Sequence, residues 1–185
     1  AGLGGAGILA PIAIGAVLMV MVFAGGHISG AHYNPAVTLA VFIRGKCAAS
    51  DIPGYIAAQL VGTVAAALTV GALSGDQEMT VATFEVGPAL IAEILFTFAL
   101  VWVILNVATS KGTEGNSFYG LAIGFTVTGG AYSVGAISGA AFNPAVAVGL
   151  CVMGMSTWSF IWVYLVAQVI GAVLAAFAFK ALVTE

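Results

Sequence analysis

The sequence has very few charged residues. Only 6% of its 185 residues are Asp, Glu, Lys or Arg, whereas 62% are hydrophobic. A soluble domain carries about a quarter charged residues, so this composition excludes a water-facing surface and indicates an integral membrane protein. Four basic residues and a net charge of −3 provide no basic stripe, so we expect no nucleic-acid partner.

Cysteine and histidine are also scarce. Cys47 and Cys151 lie far apart in apolar surroundings, where a free cysteine usually behaves as a small buried hydrophobe, so we expect no disulfide. His27 and His32 lack a third histidine that would complete a metal site. The sequence has no Ser-His-Asp set, glycine-rich phosphate loop or redox pair. We therefore expect neither an enzyme nor a cofactor.

One segment is present twice. The first copy, residues 26–37, reads G-H-I-S-G-A-H-Y-N-P-A-V, and the second, residues 135–146, reads G-A-I-S-G-A-A-F-N-P-A-V. A single Asn-Pro-Ala could be no more than a capped helix start. The same offset of 109 residues, however, also pairs Tyr55 with Tyr164. The repeat therefore covers nearly the whole chain, and we expect one transmembrane domain, 1–185, with halves at about 1–75 and 86–185.

Apolar runs of about 20 residues match a bilayer core of roughly 30 Å. Five such spans are predicted, at about 7–25, 53–74, 87–108, 117–134 and 157–182. The apolar stretches that follow the two Asn-Pro-Ala triplets, 36–43 and 145–153, are only about half as long as a span. Short, interrupted segments in corresponding places of two halves indicate a site at the membrane midplane. We predict two re-entrant half-helices that meet there.

Basic residues set the expected orientation. If the spans alternate, the four basic residues all fall on one side, which the positive-inside rule makes cytoplasmic: Arg44, Lys46, Lys111 and Lys180. Three acidic residues fall in the loop on the other side: Asp76, Glu78 and Glu85. The two halves then have opposite topology and the C-terminus is cytoplasmic. Because two spans precede the second half-helix and one precedes the first, symmetry predicts a further span before residue 1.

The motifs together resemble those of the aquaporin (major intrinsic protein) family. Those that carry the resemblance are A-H-Y-N-P-A-V-T at 31–38, S-G-A-A-F-N-P-A at 138–145, and A-E-I-L-F-T-F at 92–98. G-L-A-I-G-F at 120–125 is similar to fifth helices of the plant vacuolar branch. The resemblance covers residues 7 to 182 and implies an all-α, inverted-repeat bundle that works as a homotetramer of water and small-solute channels in a plasma or vacuolar membrane.

The resemblance also implies which residues form the pore. Its central motif comprises Asn34, Pro35, Ala36, Asn143, Pro144 and Ala145. Backbone acceptors are expected along the two loops, at Gly30, Ala31, His32, Tyr33, Gly139, Ala140, Ala141 and Phe142. Counted from the motifs, the selectivity filter falls at Ile14, Ala131, Ala140 and Val146. Most family members have arginine where this chain has Val146, so the resemblance implies a wider, apolar filter that admits glycerol, urea, ammonia or hydrogen peroxide besides water.

Glu93 and the two histidines leave alternatives open, whereas two glutamines inside the spans have one expected role. Glu93, inside a span, is either a proton-coupling carboxylate of a secondary transporter or, as its family counterpart implies, an acceptor for the second loop. Gln59 and Gln168 are repeat partners that we expect to hydrogen-bond to the re-entrant loops. His32 matches a pore-side histidine of the family, and His27 is expected to order the first loop; either could act as a pH gate. An inactive, truncated channel is the remaining alternative.

Overall fold

The described part of the chain folds into seven α-helices. The structure is a computed structural model, and it describes residues 7–75 and 79–183. The helices are α1 (Ala10–Ser29), α2 (Pro35–Ile43), α3 (Ile52–Ser74), α4 (Val86–Thr109), α5 (Tyr119–Ser138), α6 (Pro144–Val152) and α7 (Ile161–Leu182). The described ranges contain no strand. Asp76 and Glu78, used above for orientation, lie outside the described residues. The all-α fold predicted from the sequence is confirmed.

Five helical segments of the described chain are long and apolar enough to cross a membrane, as predicted. They are Gly7–Ser29, Ala49–Ser74, Val86–Thr109, Tyr119–Ser138 and Ile161–Leu182. The first and fourth run about four residues past their predicted ends. Glycines near those ends do not stop the helices, because small residues are tolerated in apolar helices. Each helix ends only where a glycine adopts the left-handed conformation, at Gly30 (φ 75°) and Gly139 (φ 84°).

The two short helices begin at the duplicated motif. Asn34 and Asn143 are extended N-cap residues, and each is followed by a proline in the first turn. Proline fits there because its missing N–H is not needed. Both helices contain nine residues, so at 1.5 Å per residue each covers about half of a bilayer core. The predicted half-helices are therefore present.

The two halves meet where α1 crosses α5. Gly15 and Gly124 are equivalent in the repeat and lie against each other at this crossing. A methyl group added to Gly15 would lie 2.5 Å from the carbonyl oxygen of Gly124, and one added to Gly124 would collide with the carbonyl oxygen of Gly15. This reciprocity places the pseudo-twofold axis that relates the two halves at the pair of glycines.

The remaining helices pack in related pairs. α2 packs on α7, and α6 packs on α3. α4 packs against both α5 and α7, where Gly171 lets α7 come close to the backbone of α4 at Ile94. No described helix packs against both α1 and α3, the place that would correspond to α4. The expected further span stays a prediction.

Candidate functional site

Two loops of matching conformation lead into the half-helices. Residues 30–33 join α1 to α2, and residues 139–142 join α5 to α6. Non-glycine residues adopt positive φ at equivalent positions of the two loops: Ala31 (49°), Tyr33 (48°), Ala140 (51°) and Phe142 (49°). Such conformations cost about 1–3 kcal/mol each and persist only where the surrounding structure holds them. The loops are therefore held by specific contacts.

The asparagines of the two motifs link the loops reciprocally. The Nδ2 group of Asn34 donates a hydrogen bond to the carbonyl oxygen of Phe142 (2.9 Å), and that of Asn143 donates to the carbonyl oxygen of Tyr33 (2.9 Å). The Oδ1 atoms face the other way. Oδ1 of Asn34 accepts from the N–H of Ala36, and the equivalent bond is made by Asn143. Each asparagine thus caps its own half-helix and holds the opposite loop.

This arrangement leaves one N–H of each asparagine for another partner. A side-chain amide carries two N–H donors, and the carbonyl of the opposite loop uses one of them. Both asparagines also lie at helix N-termini, where the aligned peptide dipoles amount to about half a positive charge. Two N–H donors in a positive field can bind the oxygen of a small neutral molecule and repel a cation. The carbonyls of Tyr33 and Phe142, expected from the sequence to face solute, each already accept one hydrogen bond.

Glu93, on α4, holds the second loop. Its side chain is fully buried. Oε1 accepts from the hydroxyl of Ser138 (2.7 Å) and the backbone N–H of Ala141 (2.9 Å). Oε2 accepts from the N–H of Phe142 (2.8 Å) and from Nε2 of Gln168 (2.8 Å). Four donors converge on one carboxylate, which accounts for its burial in a membrane span.

The two glutamines bind neighbours of the loops and not the loops themselves. Gln168 donates to Glu93, so it reaches the second loop through that carboxylate. Gln59 donates to the hydroxyl of Thr38 on α2 (3.0 Å). The sequence predicted direct bonds to the loops. It could not show that a side chain intervenes in each case, because those side chains come from other parts of the chain.

The two histidines lie in different environments. His27 is exposed and makes no hydrogen bond within the described residues, so it does not order the first loop there. His32 is partly buried, and its Nδ1 lies 3.2 Å from Oγ1 of Thr38. Sequence reasoning missed Thr38. A signal was available, because the repeat has a small apolar residue, Ala147, at the equivalent position.

The four predicted filter residues all have hydrocarbon side chains, so no hydrogen bond orders them. Ile14 (40% exposed) adjoins the α1–α5 crossing, and Val146 (42% exposed) lies in the first turn of α6. Ala131 and Ala140 are partly buried. A cavity of about 580 Å³ lies elsewhere, between the C-terminal ends of α3 and α6. Its lining includes neither asparagine, so it is not the candidate site.

A family model described as Major intrinsic protein matches residues 6–179. The chain belongs to this family. Among curated proteins it is similar to Aquaporin NIP1-1 of Zea mays, with 40% identity over 170 residues that cover 90% of this chain and 60% of the relative. Aquaporin NIP1-1 of Oryza sativa subsp. japonica is 41% identical, with coverage of 90% and 59%. The chain thus spans about 60% of the length of these relatives.

Two further comparisons bear on fold and branch. The fold matches that of the aquaglyceroporin from Plasmodium falciparum with a TM-score of 0.77 over 91% of this chain and 79% of that one, at 24% identity. The expected likeness to the plant vacuolar branch is not supported, because these relatives of the major intrinsic protein family are NIP-type aquaporins. One short segment in α5 suggested that branch, whereas the relatives match along most of the chain.

Proposed function

We propose that this chain forms a passive transmembrane channel for water and small neutral solutes, which pass between the N-termini of α2 and α6. The observation that carries the proposal is the reciprocal pair of asparagines. Asn34 and Asn143 each cap a half-helix and bind the opposite loop, and each keeps one N–H donor. Membership of the major intrinsic protein family and the aquaporin names of the relatives support it.

Proton exclusion follows from the same geometry. A water molecule that accepts hydrogen bonds from Asn34 and Asn143 has both lone pairs engaged, so it cannot accept a proton from the next water in file. The positive ends of the two half-helices also raise the energy of a hydronium or metal cation between them. The channel we propose therefore conducts water without conducting protons.

The filter we propose is apolar. Ile14, Ala131, Ala140 and Val146 offer no donor and no positive charge, and two of the four are alanine. Such a filter passes a solute by size and does not select it by hydrogen bonds. The expected solutes are water, glycerol, urea, ammonia and hydrogen peroxide.

Glu93 weighs against a coupled transporter. A coupling carboxylate must be reached by the ion that it binds, whereas the side chain of Glu93 is fully buried and accepts from four protein donors.

The proposed assembly is a homotetramer with one pore per subunit, in a plasma or vacuolar membrane, with the C-terminus cytoplasmic. Arg44 reaches the ends of α4 and α7, which puts basic residues at one end of the bundle as this orientation requires.

The test is stopped-flow light scattering on vesicles that contain the purified chain, with water, glycerol and urea compared. We expect flux of all three above that of empty vesicles. Val146→Arg should retain water flux and lower glycerol and urea flux at least tenfold, because it adds bulk and charge to the filter. Val146→Met adds bulk without charge and is the matched control.

Two outcomes would contradict the proposal. Fluxes equal to those of empty vesicles would refute the channel, and the chain would then have the family fold without transport. Fast water flux without glycerol or urea flux in the unmodified protein would refute the wide filter alone.

A further inference from the structure

A polar cluster beside the first loop includes two side chains that the repeat replaces with alanine. It consists of His32, Thr38 and Gln59. The residues equivalent to His32 and Thr38 in the repeat are Ala141 and Ala147. A polar pair that replaces two alanines inside an apolar bundle costs free energy unless its groups are paired. The polar groups of this cluster therefore need hydrogen-bond partners inside the bundle.

The hydroxyl of Thr38 lies at the centre of the cluster. Thr38 is fully buried. Its Oγ1 lies 3.1 Å from the carbonyl oxygen of Asn34, 3.0 Å from Nε2 of Gln59 and 3.2 Å from Nδ1 of His32. One hydroxyl group thus contacts the cap of the half-helix, helix α3 and the first loop.

The donors and acceptors around the hydroxyl of Thr38 indicate the tautomer of His32. A hydroxyl group has one proton to donate and two lone pairs. The carbonyl oxygen of Asn34 can only accept, so it takes the proton of Thr38. Nε2 of Gln59 can only donate, so it occupies one lone pair. In this arrangement the other lone pair faces His32, whose Nδ1 then carries the proton and whose Nε2 is an acceptor. The alternative, with the hydroxyl turned toward His32, would put the proton on Nε2 and leave the carbonyl of Asn34 with the backbone N–H of Thr38 as its donor (2.9 Å).

Among the described residues, the two loops have different hydrogen-bond partners. Glu93 binds the backbone N–H groups of Ala141 and Phe142 in the second loop. The equivalent N–H groups, those of His32 and Tyr33, have no hydrogen-bond acceptor among the described residues. The first loop is instead held through the side chain of His32, which also stacks on the ring of Tyr55 with 4.4 Å between centroids.

We propose that Thr38 is a positioning residue for the channel: it fixes His32 as the Nδ1–H tautomer and so places the neighbouring Tyr33 carbonyl that binds Asn143. The inference rests on the proposed function for its effect on transport. The connection runs from the hydroxyl of Thr38 to the ring of His32, then along one peptide unit to the carbonyl oxygen of Tyr33, which accepts from Nδ2 of Asn143.

The first test reads the tautomer directly. The chain has only two histidines, so a His27→Gln background leaves one imidazole to observe by ¹⁵N NMR of ring-labelled protein in lipid nanodiscs. We expect Nδ1 to be protonated and Nε2 unprotonated. Thr38→Val keeps the shape of the side chain but removes the hydroxyl, and it should populate the Nε2–H tautomer. Thr38→Ser should keep the original spectrum.

The second test is water flux in vesicles. Thr38→Val should lower it about tenfold, since the loss of one net hydrogen bond is worth roughly a factor of ten, and Thr38→Ser should stay within about twofold of the unmodified protein. Thr69→Val is the matched control, because Thr69 is exposed on α3 and bonds only its own helix. It should leave both the spectrum and the flux unchanged.

Each outcome decides the proposal. An Nε2–H tautomer in the unmodified protein, or a spectrum that Thr38→Val does not change, would overturn the assignment. A changed spectrum with unchanged flux would overturn the positioning role. Absence of water flux in the unmodified protein would refute the proposed function, and with it the transport role of Thr38. The NMR result would then still decide the tautomer, so the two failures are distinguishable.

Discussion

Glu93→Gln is the substitution with the clearest expected effect on the second loop. The carboxylate accepts four hydrogen bonds, from Ser138, Ala141, Phe142 and Gln168. A glutamine amide of the same shape has one accepting oxygen and one NH₂ group that only donates. If the oxygen keeps the two bonds made at Oε1, the NH₂ group must face the two donors at Oε2.

The free energy that Glu93→Gln costs the second loop is the sum of the changes at these four hydrogen bonds. The amide of Gln168 can turn and accept, but the N–H of Phe142 cannot, and a buried donor without a partner costs about 1–3 kcal/mol. The two bonds at the remaining oxygen become neutral, and charge-assisted bonds are about twice as strong as neutral ones. Relief of the desolvation of Glu93 offsets part of the loss. We expect a net cost of about 3 kcal/mol, which corresponds to roughly a hundredfold change in an equilibrium constant.

Hydrogen exchange followed by mass spectrometry measures this effect where it arises. The peptide that contains residues 139–142 should exchange roughly a hundredfold faster in Glu93→Gln, whereas the equivalent peptide of the first loop should change much less. Glu85→Gln is the matched control, because Glu85 is exposed at the start of the same helix and makes no cap hydrogen bond. Unchanged exchange in residues 139–142 would show that the carboxylate does not hold the loop.

Two further substitutions test the packing of the bundle by thermal unfolding in detergent. Gly124→Ala would push a methyl group into the backbone of α1, so it should lower the free energy of unfolding by about 1–3 kcal/mol. Gly129→Ala, on the same helix, meets nothing within 4 Å and should be neutral or stabilising. Equal effects of the two substitutions would refute the close crossing of α1 and α5. Arg44→Met should lower the free energy of unfolding by about 1–2 kcal/mol. The guanidinium group of Arg44 lies 4.9 Å from the ring of Phe179, and at the C-cap of α2 its charge offsets the negative end of the helix dipole. Lys46→Met, at an exposed position, should cost less.

The sequence predicted the parts of this fold that depend on local signals. Five apolar runs gave the spans, and Asn-Pro at residues 34 and 143 gave the starts of both half-helices, because capping depends on neighbouring residues alone. The ends of α1 and α5 were misplaced by about four residues. Each helix continues to a later glycine, Gly30 or Gly139, whose left-handed conformation cannot be read from composition.

The contacts between distant segments could not be predicted in the same way. The repeat indicated that Asn34 and Asn143 meet, but not that each donates to a carbonyl of the other loop. Gln59 and Gln168 looked equivalent in the sequence, yet one binds a threonine and the other a glutamate. A repeat predicts equivalent backbone positions, whereas hydrogen bonds depend on every side chain nearby. Those neighbours differ between the two halves at Thr38 and Ala147.

The anchors that the described residues provide for the two loops differ in charge. The carboxylate of Glu93 binds backbone N–H groups just before α6, so its negative charge offsets part of the positive end of that helix dipole. The His32–Thr38 contact beside α2 is neutral in the Nδ1–H tautomer that we propose. Arg44 also lies at the C-terminal end of α2, where it offsets the negative pole, whereas the corresponding end of α6 has the uncharged Met153. Within the part of the chain that the structure describes, the positive field at the two asparagines is therefore stronger on the side of α2 than on the side of α6.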